Sequence, residues 1–354
     1  MMLYQTKNPH GGDIYGEEVL LDFSANTNPL GTPPGVLAAV EESLAQLHRY
    51  PDPYCRRLIR AISEFEQVPE HWILCGNGAA ELIYAYCASV GAKRAVELAP
   101  TFAEYSLGLE QAGCAVSRYF LSQEAAFTLD GGFLEFLDRE KPDVVFLCNP
   151  NNPTGRTAPK ALLLEILRYC RERGIRLFVD ECFADLSDRQ ESLKQELADN
   201  PHVFLLKAFT KSYGMAGLRL GYCLTSDGEL LGKMAKSVQP WNVSTPAQAA
   251  GTAALGERAF LEKTRALIAV ERAWLKENLE ALGLWVCPSE ANYLLFRGPE
   301  DLGRNLKKRK IAVRSCANYF GLGPDWYRTA VRLHEENEAL VQALREKLER
   351  DGNG

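Results

Sequence analysis

The hydrophobic pattern changes period along the chain, and those changes mark its elements. From residue 72 onward short apolar runs alternate with longer amphipathic stretches. The runs 72–74, 95–98, 115–120, 144–148, 176–179 and 203–206 have the length and β-branched or aromatic content of buried strands. Between them, 79–90, 102–112 and 159–173 carry helical spacing. Such alternation predicts an α/β fold, with a largely parallel sheet and helices on both faces. Upstream, 36–47 reads as an amphipathic helix, and the first 35 residues show little periodicity apart from an apolar run at 19–23. After Pro240-Trp241-Asn242 the character changes. A helical stretch runs from about 246 to 282, broken near Gly256, and short strands follow at 284–287, 293–296, 311–314 and 328–333. Helices are expected near 301–310 and 335–348. The pattern predicts a large α/β domain over 36–240 and a smaller α+β domain made of 241–354 with 1–35 as an N-terminal arm.

Open parallel sheets bind ligands outside the carboxyl ends of their strands. Asn77-Gly78, Asn152, Asp180 and Lys211 all fall just past expected strand ends. The stretch VFLLKAFTKSYGMAGLRLGY at 203–222 places Lys211 between Thr210 and Ser212 on a glycine-relaxed turn, with Arg219 eight residues on. A lysine becomes a nucleophile toward carbonyls when desolvation or a neighbouring cation lowers its pKa. Lys207 is a rival inside the strand pattern, without the turn. Gly76-Asn77-Gly78 leads into a helix N-terminus, where free N–H groups favour an anion. The loop Asn149-Pro150-Asn151-Asn152-Pro153-Thr154-Gly155 is either an ordinary Asn/Pro/Gly turn or a rigid presentation of Asn152. Asp180 ends a buried strand, a costly place for an unpaired carboxylate.

Composition narrows the field. The chain has 354 residues, 46% hydrophobic and 24% charged, with a net charge of −6. Its basic residues are dispersed, which argues against a nucleic-acid surface. The ten cysteines form no C-x-x-C pair and lie in apolar runs, as expected of reduced thiols in a cytoplasmic protein. No metal-ligand spacing links them to the five histidines. No apolar run approaches a membrane span, and the N-terminus lacks the apolar core of a signal peptide.

The set CNPNNPTG, VDE, FTKSYGMAGLRLGY and ANYLLF resembles the fold-type I aminotransferase superfamily, class I/II, over nearly the whole chain. That resemblance implies pyridoxal phosphate (PLP) as cofactor. Lys211 would be its Schiff-base lysine and Asp180 the partner of its ring nitrogen. Asn152 would bond the ring hydroxyl and Tyr105 would stack on the ring. Arg219 would grip the cofactor phosphate, with Gly78, Ala79 and Thr210 adding contacts. Tyr50 in YPDP would reach the cofactor phosphate of a second subunit, implying a homodimer. Two departures stand out: Ala208 where the family often has a hydroxyl residue, and Phe183 where it often has a tyrosine. HGGD, LDFSANTNPLG, PWNV and RSCANY with a later VRL resemble the branch that decarboxylates a phosphorylated amino acid in cobalamin synthesis, the histidinol-phosphate aminotransferase branch being the alternative. The resemblance places substrate contacts at His10, Gly11, Asn26, Asn152, Arg314 and Arg332. Two arginines suit a substrate carrying both a carboxylate and a phosphate.

Overall fold

The computed structural model of the chain describes residues 10–16, 18–189 and 191–352. The first strand, β1 (Leu21–Asp22), stands apart from the seven that follow. Those are β2 (Ile73–Gly76), β3 (Arg94–Ala99), β4 (Ala115–Phe120), β5 (Val144–Cys148), β6 (Arg176–Asp180), β7 (Val203–Ala208) and β8 (Gly221–Leu224). They form one sheet in the order β2-β8-β7-β6-β5-β3-β4, parallel except for β8, which runs against both neighbours. Every residue of β5 and β7 is buried, because helices cover both faces. One face carries Phe146, Phe178 and Phe204 in register on adjacent strands, their rings stacked at 4.4 and 4.9 Å between centroids. The helix Gly78–Val90 lays Tyr86 across this row.

The later strands are β9 (Trp285–Val286), β10 (Tyr293–Arg297), β11 (Ile311–Ala312), β12 (Arg314–Ser315) and β13 (Trp326–Ala330). Four make an antiparallel sheet ordered β12-β13-β10-β9, while β11 pairs in parallel with β1. The N-terminal segment is thereby tied to the C-terminal part of the chain. Phe23 N–H donates to the Ala312 carbonyl at 2.8 Å and its own carbonyl accepts from Ala330 N–H at 2.9 Å. The next residue, Ser24, is held to β13 as well, its carbonyl accepting from Arg328 at 2.9 Å.

Several boundaries differ from the hydrophobic pattern. The expected strand 311–314 divides into β11 and β12, which belong to different sheets. The expected strand 328–333 lies earlier, as Trp326–Ala330, with consequences for the site. The helix Arg56–Glu66 was not apparent behind Pro51 and Pro53. Its start is fixed by Asp52, whose carboxylate accepts from the backbone N–H of Tyr54 and Arg56 at 3.1 and 2.9 Å.

Candidate active site

A cavity of about 380 Å3 opens at the carboxyl ends of β5, β6 and β7. Lys211 lines it from the one-turn helix Phe209–Ser212 that follows β7. Desolvation, then the charge of Arg328, holds the Lys211 amine down at about 8, with Arg219 adding to the effect. Lys207 has the opposite character. It is buried against Glu66 Oε1 at 3.2 Å, Asp185 Oδ1 at 3.7 Å and Glu181 Oε2 at 3.9 Å. Those carboxylates overcome burial and raise its pKa, so it remains an ammonium ion. Between the two candidates, only Lys211 faces the cavity as a ready nucleophile. Its turn is pinned from behind: Ser212 Oγ donates to Asp185 at 3.0 Å, and Asn28 Nδ2 donates to the Ser212 carbonyl at 2.7 Å.

Asp180 ends β6 and is buried in the same cavity. Tyr105 Oη donates to Oδ2 at 2.6 Å and Cys182 N–H to Oδ1 at 2.8 Å. Burial raises its pKa despite these bonds. No cation pairs with it among the described ion pairs, so a cationic ligand atom would complete the site. The expected stacking role of Tyr105 does not fit its position. Tyr105 has 0% exposure and is wedged against Phe146 and Phe178 with its hydroxyl committed to Asp180. Phe102, three residues earlier and only half-buried, presents the accessible ring on the cavity wall. Phe183 stands where the family often has a tyrosine. Its ring centroid is 5.8 Å from Lys211 Nζ, and it packs edge-on against Tyr293.

An anion cradle lies at one end. Arg219 adopts a left-handed backbone with φ 56°, and its guanidinium packs so closely over Gly78 that a Cβ there would lie 2.5 Å from Nη2. Gly78 itself has φ +81° and opens the helix Gly78–Val90, so both backbone and space require glycine. Ala79, Thr210 and Arg219 line the cavity beside the unsatisfied first N–H groups of that helix.

At the other end His10, Gly11, Asn26, Asn152 and Arg314 also reach the cavity. Both side-chain polar atoms of Asn26 are buried without a hydrogen-bond partner. Buried polar atoms rarely remain so, and here a ligand would satisfy them. Asn152 Oδ1 accepts from Arg328 and, at 3.3 Å, from Tyr319, which orients the amide so that Nδ2 is the atom left to donate. Arg332 is not among the lining residues. It sits beyond the end of β13 and binds Glu336 at 2.8 Å. Arg328 takes its place on the wall. It is 6% exposed within β13, donates to the Ser24 carbonyl at 2.9 Å, and its Nε lacks a partner. Shifting the strand to 326–330 is what exchanges the two arginines. An arginine inside the apolar run WYRTAV was the available signal. Tyr50 lies elsewhere, 79% exposed and stacked on Trp241 at 4.5 Å.

These residues fit the group expected from the sequence. A desolvated lysine, a buried unpaired carboxylate, an accessible aromatic wall and a glycine-arginine anion cradle match an aldehyde, a ring nitrogen, a flat ring and a phosphate. No helix among the described residues is long and apolar enough to cross a membrane.

Residues 18–344 match the family model described as aminotransferase class I and II. The threonine-phosphate decarboxylase of Salmonella typhimurium is 39% identical over 351 residues, covering 96% of each chain. The histidinol-phosphate aminotransferase of Symbiobacterium thermophilum is 34% identical, over 93% of this chain and 91% of its own. Among solved structures, the histidinol-phosphate aminotransferase of Clostridium acetobutylicum superimposes with a TM-score of 0.87 at 29% identity, over 94% of this chain and all of its own.

Proposed function

The chain belongs to the class I and II aminotransferase family, a PLP-dependent family, and within it we propose that the protein decarboxylates O-phospho-L-threonine to (R)-1-aminopropan-2-yl phosphate in cobalamin biosynthesis. The observation that carries this reading is the cationic end of the cavity. Arg314 and Arg328, with His10, line the same cavity as the cradle residue Arg219, so cationic side chains are available for two anionic groups of a small substrate as well as for the cofactor phosphate.

We assign the cofactor to Lys211, Asp180, Asn152, Phe102, Thr210, Gly78, Ala79 and Arg219. When bound, PLP supplies an electrophilic carbonyl and a ring that withdraws electrons from the substrate Cα. Lys211 Nζ is positioned to surrender its place to the substrate amine. Its depressed pKa lets it exchange a proton near neutrality. Asp180, bonded by Tyr105 and Cys182, would keep a cationic ring nitrogen protonated. Arg328 and Arg314 would hold the substrate's anionic groups, and Asn26 would complete their contacts. With the phosphate anchored at the rim, the bond to the carboxylate is the one aimed for cleavage. CO2 departs with its oxygens, the electron pair stays at Cα, and Lys211 Nζ returns one proton to that carbon. Phe183 in place of a phenol removes one hydrogen bond from the cofactor's oxygen, a departure that suits a reaction other than simple transamination.

The alternative reading is transamination of histidinol phosphate, favoured by the second relative. Turnover of O-phospho-L-threonine with CO2 release and no added amino acceptor supports the decarboxylase. Turnover that requires 2-oxoglutarate supports the aminotransferase.

We also propose a cytoplasmic homodimer. Leu44, Leu47, Tyr50, Tyr54 and Trp241 are large exposed apolar side chains, an expensive set to leave in water. Tyr50 among them would reach the partner's cofactor phosphate.

A further inference from the structure

The mouth of the cavity holds a contact that this chemistry leaves unused. His10 Nε2 lies 2.7 Å from Glu104 Oε1, and Glu104 Oε2 accepts a hydrogen bond from Tyr84 Oη, also at 2.7 Å. Glu104 opens the helix Glu104–Gln111, and Tyr84 sits within the helix Gly78–Val90. Two packed helices therefore fix one carboxylate at the rim. The bond from His10 holds the Glu104 carboxyl below its usual range against the opposing effect of burial, and Tyr84 adds to it. Tyr84 stays a donor, because burial and Glu104 push its phenol up to about 12.

The backbone beside His10 is fixed as well. Gly12 N–H donates to Ser24 Oγ at 2.8 Å. A Cβ on Gly11 would lie 2.2 Å from the Ser24 carbonyl oxygen, so only glycine permits this approach. Ser24 in turn is the residue whose carbonyl holds Arg328. The imidazole is thus bonded to Glu104 while the backbone next to it is anchored at Ser24, and the Phe102 ring centroid lies 5.7 Å away. A polar group held by a second layer of partners keeps its geometry when ligand arrives.

We propose that Glu104, braced by Tyr84, is a positioning residue that aims His10 at the phosphoryl group of the substrate and thereby sets the preference for phosphorylated over unphosphorylated amines. The inference rests on the proposed phosphorylated substrate, yet it holds for either reaction. A simple charge effect has the opposite sign: removing a carboxylate near an anion site strengthens anion binding.

The test is ligand binding to the holoenzyme, read from the change in cofactor absorbance. O-phospho-L-threonine is compared with L-threonine, and L-histidinol phosphate with L-histidinol. Glu104→Gln is expected to lower the preference for the phosphorylated member by about tenfold, the scale of one charge-assisted hydrogen bond. Tyr84→Phe, a milder change in case the first variant folds poorly, should lower it by roughly threefold. His10→Gln should match Glu104→Gln, and the double variant should lose no more than either single one. A preference unchanged or enlarged in Glu104→Gln overturns the inference, as does equal weakening of both members of a pair. Absence of any phosphate preference in the wild type would instead strike the substrate reading itself, and this inference with it.

Discussion

The state of Lys211 gives the sharpest quantitative expectation. An amine at about 8 is half neutral at pH 8, whereas at the ordinary value of 10.5 it would be roughly 0.3% neutral. That gap corresponds to about 3 kcal/mol in favour of the nucleophilic form. Desolvation is the largest cause, and Arg328 is the leading charge. Arg328→Gln removes the cation while keeping a donor for Asn152 Oδ1. The apoenzyme can then be mixed with PLP across a pH series, and capture followed by the absorbance of lysine-bound cofactor. Only the neutral amine attacks the carbonyl, so the rate reports its fraction. The wild type should show a midpoint near pH 8. The variant should show a higher midpoint and, at pH 8, capture slower by roughly fivefold to tenfold. A wild-type midpoint near 10.5, or a variant midpoint unchanged or lower, would refute the argument.

Three further outcomes follow from the same geometry. Lys207→Met leaves Glu66, Glu181 and Asp185 facing one another without their shared cation, and should cost about 3 kcal/mol in urea denaturation. Glu66 is held down at about 2 in the folded state against 4.5, chiefly by Lys207, Tyr222 and Lys194 overcoming burial. Its stabilisation is therefore complete above about 4.5 and lost as pH falls toward 2, so the stability gap between Lys207→Met and the wild type should narrow as the pH is lowered through that window. Arg328→Gln should raise KM for the substrate at least tenfold, while Arg332→Gln, which breaks a partly exposed pair with Glu336, should stay within about threefold. Equal effects from the two arginines would contradict the placement of β13.

Much of this arrangement was legible because strand ends announce themselves. Apolar runs stop where polar residues begin, and Asn152, Asp180 and Lys211 sit at or just past the ends of three strands that prove to be neighbours. What failed were choices that depend on one or two residues of register. The run 326–333 contains two arginines four apart, and period alone cannot say which lies within the strand. Tyr105 was placed on the ring by the family resemblance, but its hydroxyl found Asp180, a contact between residues 75 positions apart. Asn28, which no pattern singled out, ties the N-terminal segment to the Lys211 turn. The His10–Glu104–Tyr84 chain joins three elements that no local pattern connects.

The central claim is that the chain removes CO2 and retains nitrogen. It is tested most directly by incubating the holoenzyme with O-phospho-L-threonine alone in deuterated water and weighing the product. The account predicts an amine that has lost CO2 and gained one carbon-bound deuterium at the former Cα, formed without an acceptor. A ketone product, or no turnover until 2-oxoglutarate is supplied, would contradict it.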